Sequence, residues 1–115
     1  MDKAILRGSM FYADLASSIG SEQSGYRPVL IIQNDVGNKH SQTVIAAVIT
    51  SRTAYKAKLP THCIIARQQG LDKDSLVLLE QIRTIDKIRL KKYIGMLEVT
   101  AMNEVDKALA ISVGL

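Results

Sequence analysis

A chain of 115 residues can bury about two-thirds of the surface its unfolded form exposes, so it can fold as one domain without a disulfide or a metal. The lone cysteine, Cys63, excludes an internal disulfide and fits a reducing cytosol. No apolar run, in the N-terminal MDKAILRGSMFYADL or elsewhere, approaches the ~18 residues of a membrane span, so the expectation is a cytoplasmic chain that neither enters nor crosses a membrane. The net charge of +4 is uneven, with fourteen Lys/Arg against eight Asp/Glu in residues 1–97, but Lys107 against Glu98, Glu104 and Asp106 in residues 98–115. A basic body with an acidic tail suits a polyanionic partner, or is an ordinary basic surface.

Along the chain, SMFYADL (9–15) is a weak strand. The polar, glycine-bearing GSEQSGYR (20–27) then gives way abruptly to PVLIIQN (28–34), an apolar strand that Pro28 should head. A residue before proline is held extended, which aims the Arg27 side chain rather than leaving it loose. TVIAAVITS (43–51), HCIIA (62–66) and SLVLLEQIRT (75–84) are further β-branched runs separated by Gly, Pro, Asn and Asp clusters. DKIRLKKY (86–93) predicts a short basic helical turn and YIGML (93–97) a weaker strand. After Thr100, the predicted N-cap, Met102, Val105, Leu109 and Val113 form one helical stripe. Ile111 falls off that stripe. The pattern is mainly β with α: a small, partly open barrel with a C-terminal helix packed on its sheet.

Several strands carry polar groups at their ends. Strict alternation over 75–84 puts Ser75, Val77, Leu79, Gln81 and Arg83 on one face. Gln81 and Arg83 then form a donor-rich pair, Thr50 ends an otherwise apolar strand, and Arg27 stands at the start of another.

RGSMFYADL, GSEQSGYRPVLIIQND, AAVIT, AKLPTH and DSLVLLEQIRTIDKIRL resemble the MazF/PemK toxins of bacterial toxin–antitoxin systems, over nearly the whole chain from Arg7 onward. The resemblance implies an SH3-like PemK barrel acting as a homodimer. It implies a sequence-selective endoribonuclease that needs no metal or cofactor, cuts single-stranded mRNA and arrests growth. A cognate antitoxin of the MazE kind would occupy the RNA groove and silence it. By the same resemblance Arg27 and Thr50 are the catalytic positions, with Glu22 implicated nearby. There are two departures. The family reads Arg-Gly-Asp where this chain has Arg7-Gly8-Ser9, and it often has proline after Asp-Leu where this chain reads ADLASS. Loss of the carboxylate at position 9 bears on a turn, a loop anchor or the dimer contact.

The chemistry suits those residue types. Metal-free cleavage uses the 2′-hydroxyl as nucleophile on the adjacent phosphate and leaves a 2′,3′-cyclic phosphate and a 5′-hydroxyl. A guanidinium forks onto phosphate oxygens, and a threonine hydroxyl can donate to the same atoms. Arginine stays charged, so Arg27 is a poor base, and Glu22 is the candidate base or base-orienting group. Gln81, Arg83, Tyr26, Arg52, Lys56 and Lys58 are candidates for RNA contact, with Tyr26 as a stacking surface. His40 and His62 could form an acid–base pair, but their spacing carries no signal. A toxin of the same fold that inhibits a protein target such as DNA gyrase is the alternative, and a simple RNA-binding barrel the third reading.

Overall fold

The computed structural model describes residues 4–16, 19–20, 22, 24–51 and 59–115. In these residues the apolar runs become six strands: β1 (Ser9–Asp14), β2 (Tyr26–Ile31), β3 (Thr43–Ser51), β4 (His62–Ile65), β5 (Ser75–Asp86) and β6 (Leu90–Met96). They form one antiparallel sheet in the order β4-β5-β3-β2-β1-β6, with β4 and β6 at its edges. Two helices, α1 (Asp35–His40) and α2 (Val99–Val113), complete the chain. The expected mainly β architecture with a C-terminal helix is therefore present.

The centre of the sheet is apolar on both faces. On one, Met10, Leu30, Ile49, Val77 and Leu79 pack beneath Val105 and Ala108 of α2. On the other, Phe11, Val29, Ile31, Val44, Val48 and Ile85 pack with Leu90 and Tyr93. Phe11 and Tyr93 meet edge-on, centroids 5.4 Å apart. That second cluster is drawn from strands and their flanks, so its burial requires the sheet to curl over itself. Irregular registers in β1–β6 and β3–β5 supply the bends.

The β3–β5 irregularity corrects the strict alternation expected for 75–84. Val48 lies opposite Leu78 but Ala47 lies opposite Ile82, so residues 79–81 bulge out of the ladder. Leu79 and Ile82 join the α2-side core, and Arg83, opposite Ala46, passes to the other face. Gln81 and Arg83 are therefore not the aligned pair that period two predicts.

Four boundaries also differ. Pro28 is the third residue of β2 rather than its head, and the β2–β3 ladder begins one residue later, at Val29 opposite Val48. The missing N–H thus falls just outside that ladder. Within 86–93 only Lys87–Arg89 is helical, a 3₁₀ turn capped by the Asp86 carboxylate, and β6 follows at once. The N-cap of α2 is Glu98, without a side-chain capping bond, so Thr100 lies inside the first turn. Val105 and Ala108 are the buried pair, Ser112 donates to the Leu79 carbonyl (2.6 Å), and Val113 is exposed. Met102, Val105 and Leu109 of the predicted stripe pack on the core together with Ala101 and Ala108, and only Val113 falls outside it. Finally, α1 occupies a segment expected to be a turn, capped by the Asn34 side chain accepting from the Gly37 N–H (2.8 Å).

Ser9 has a structural account. It is buried, accepts from the Leu6 N–H (3.2 Å) and donates to the Leu6 carbonyl (2.5 Å). An ionised aspartate could accept but not donate there. Neighbouring Arg7 ties the segment to both helices, its N–H donating to Asp35 (2.6 Å) and its guanidinium to Asp106 (2.7 Å).

Candidate active site

The site lies where β2 begins and β3 ends. Val29 opposite Val48 is the last rung of their ladder, and the same register carried two residues further brings Arg27 across from Thr50. Residues two apart share a face, as do directly opposed residues. Arg27, Thr50 and Arg83 therefore share one face of the sheet. Beyond the last rung a groove of about 270 Å³ opens, and both Arg27 and Thr50 line it. The buried Ile49 and Leu71 back the groove from the core, while Asp72 and Lys73 enter from the loop before β5.

The loop before β2 is closed at its base by two backbone bonds. The Leu15 N–H donates to Gly25 O and the Gly25 N–H to Ala16 O, each at 2.9 Å. Gly25 reaches this arrangement with φ at +80°, the left-handed region that disfavours side chains. The chain is thereby turned so that Arg27 Nε donates to Ser24 O (2.7 Å). Among the described residues nothing else engages this guanidinium, which leaves both Nη groups for an anion. Gly25→Ala finds open space for its methyl group, so backbone strain alone should cost about 1–2 kcal/mol. Thermal unfolding should show Tm lowered by several degrees, with Gly25→Asn less affected because asparagine tolerates that conformation.

Thr50 is only 7 % exposed. Its hydroxyl has no hydrogen-bond partner among the described residues, and no polar side-chain atom among them is both buried and unpartnered. The exposed part of Thr50 therefore includes its hydroxyl, at a residue that lines the groove. A donor that owes nothing to the fold is available for a ligand.

The remaining candidates are placed differently. Tyr26 lines the groove, its ring stacked on that of Tyr12. Glu22 stands exposed in the loop, its N–H bonded to Ile19 O (3.2 Å), and is not part of the groove wall. Arg83 and Gln81 are half-buried on β5 and also outside that wall. Arg83 donates to Leu15 O (3.4 Å). Arg52, Lys56 and Lys58 lie outside the described residues. Tyr12, Asp72 and Lys73 escaped the sequence reading, because only tertiary packing brings them to Arg27.

His40 and His62 do not form a pair: His40 is exposed at the end of α1, and His62 is buried on β4. The Leu59 N–H donates to His62 Nδ1 (3.1 Å), which must present its lone pair, so Nε2 carries the proton donated to Glu80 (2.8 Å). Burial tends to raise the Glu80 carboxyl, but the hydrogen bonds it accepts from His62, a backbone N–H and Thr61 prevail and hold it below its ordinary 4.5. A carboxyl depressed in the folded state stabilises fully above its unfolded value, and this stabilisation is lost as pH falls through the lower folded value. Acidification from about pH 5 to 3 should thus lower the Tm of the wild type more than that of Glu80→Gln, read by thermal unfolding across that range.

The family model for the PemK-like, MazF-like toxin of type II toxin-antitoxin system matches residues 6–113. The chain belongs to this family. Among solved structures, this PemK/MazF-like chain is similar to an endoribonuclease from Mycobacterial species, with 28 % identity and a TM-score of 0.79 over 98 % of this chain and 94 % of that one. It is similar to an endoribonuclease in complex with its cognate antitoxin from Mycobacterial species, with 30 % identity and a TM-score of 0.80 over 97 % of each chain. MazF from Deinococcus radiodurans shares the fold, with 23 % identity and a TM-score of 0.81 over 99 % of this chain and all of that one. Against this background Arg27 and Thr50 occupy a groove rather than a packed interior.

Proposed function

We propose that this chain is a sequence-selective, metal-independent endoribonuclease toxin. It cuts single-stranded mRNA, arrests growth in the cytoplasm, and is neutralised by a MazE-like antitoxin. The observation that carries the reading is the opening of Arg27 and Thr50 on one groove, each with donors uncommitted to the fold. Family membership and the endoribonuclease neighbours, one of them in complex with its antitoxin, support it. The whole chain acts as one domain, and two copies form the working homodimer.

In the reaction the 2′-hydroxyl loses its proton and its oxygen attacks the adjacent phosphorus. The bond from phosphorus to the 5′-oxygen breaks, and that oxygen takes up a proton. A 2′,3′-cyclic phosphate and a 5′-hydroxyl result, with no net oxidation. Charge grows on the non-bridging oxygens, which the Nη groups of Arg27 and the Thr50 hydroxyl stabilise together. Glu22 serves as base or orients the base. Arg83, Gln81 and Tyr26, with Arg52, Lys56 and Lys58, are the proposed contacts to the RNA.

The test is incubation of purified protein with a long unstructured RNA in EDTA, followed by mapping of the cut ends. Discrete cuts at a recurring sequence are expected, and mixing in the antitoxin should abolish them. Intact RNA from a protein that still arrests growth would overturn the reading and direct the search to a protein target such as gyrase.

A further inference from the structure

Tyr12 and Tyr26 lie parallel, centroids 5.1 Å apart with an interplanar angle of 1°. The pair is diagonal across the β1–β2 ladder, where Tyr12 faces Pro28 and Asp14 faces Tyr26. Separation and tilt match an offset stack. The inner ring is fixed at its polar end, since the Tyr12 hydroxyl donates to Gly70 O (3.2 Å). Gly70 sits in a tight turn closed by reciprocal backbone bonds between Gln68 and Leu71 (3.0 and 2.8 Å). A Cβ at Gly70 would come within 2.6 Å of the Ile94 side chain, so the turn is pinned against β6. The outer ring, Tyr26, is 58 % exposed although Tyr12 covers one of its faces. Its open surface is therefore the opposite face; Tyr26 and Arg27, adjacent on β2, point to opposite sides of the strand, and both border the groove that Thr50 also lines.

We infer that the Tyr12–Tyr26 stack is a preorganised platform for one unpaired nucleobase, next to the phosphate engaged by Arg27 and Thr50. The inference rests on the nuclease reading above and names how that site holds its substrate. An exposed tyrosine ring held rigidly offers a flat π-surface at little conformational cost, and every base has a face to lay on it. Purines gain most, having the larger face. Lys73, on the same groove, supplies a cation for the neighbouring phosphate. Asp72 repels phosphate but accepts from an exocyclic amino group, which suits the base side of the subsite. Tyr26 is the contact residue. Tyr12 is a positioning residue that acts through it.

The test uses a short single-stranded RNA whose cut nucleotide is 2′-deoxy, so that the nucleophile is missing. 2-Aminopurine is placed in turn at each position from two before to two after the cut. Wild-type protein should quench the fluorophore strongly at one position. Tyr26→Ala should abolish that quenching and weaken binding about tenfold. Tyr26→Phe should retain both, and Tyr12→Phe should fall between. Binding is followed independently by anisotropy, and cleavage of the all-ribose RNA by the wild type is run in parallel. If the wild type cleaves and binds but quenches nowhere, or Tyr26→Ala binds and quenches like the wild type, the platform is wrong and the nuclease stands. If the wild type neither cleaves nor binds, both readings fall.

Discussion

Arg27→Ala should lower the rate of RNA cleavage by about 10²–10³ at saturating protein, the loss seen when a preorganised donor to a developing oxyanion is removed. The side chain is half-buried, and among the described residues its one anchor is the bond from Nε to Ser24 O. Its removal should therefore cost the fold little and the reaction much. Arg27→Lys should rescue only a small part. A lysine presents one compact charge in place of a planar fork, and it cannot keep an Nε bond to Ser24 while offering two further donors to phosphate. Single-turnover cleavage of an end-labelled RNA in EDTA measures the rate, and thermal unfolding of the same samples shows whether the fold survives. Equal rates for the wild type and Arg27→Ala would remove Arg27 from the chemistry.

Thr50→Val should slow cleavage by about 10²-fold, again the scale of one lost donor. Exchanging threonine for valine at a buried site usually strands a hydrogen-bond partner. Here the Thr50 hydroxyl has no such partner among the described residues, so the isostere should unfold near the wild-type temperature. Thr50→Ser, which keeps the hydroxyl, should restore most of the rate. Because Arg27 and Thr50 meet the same phosphate, Arg27→Ala combined with Thr50→Val should lose less than the product of the single losses. A Thr50→Val rate equal to that of wild type would reduce Thr50 to a strand-end residue.

Much of this site was legible in the sequence, for reasons that also explain what was not. The β-branched runs VLII, TVIAAVI and SLVLL specified the central strands, since such residues fit a sheet buried on both faces. Pro28 marked Arg27 by restricting the residue before it. That Arg27 and Thr50 meet was not legible, because it depends on the Val29–Val48 register, a long-range pairing that no local pattern states. The bulge at 79–81 was hidden for the same reason. Glu80 and Gln81, two polar residues in a row, break the alternation between Leu79 and Ile82, but only the offset from β3 shows that Arg83 turns to the face of Thr50. The helix α1 was missed because its six residues include Gly37 and follow Asn34, both turn signals, although Asn34 serves here as the cap. Tyr12 carried a weak signal, a polar-tipped ring on a strand otherwise bound for the core. Lys73 and Asp72 carried none, since a loop's composition does not reveal which groove it borders.

The central claim is that cleavage runs through the 2′-hydroxyl of the substrate with Arg27 and Thr50 on the phosphate. Its most direct measurement is the mass of the product ends from a mapped RNA cut in EDTA, beside the same RNA made 2′-deoxy at the cut nucleotide alone. The account predicts a 2′,3′-cyclic phosphate and a 5′-hydroxyl from the first and no cut in the second. A 5′-phosphate on the downstream fragment, or cleavage of the 2′-deoxy substrate, would contradict it.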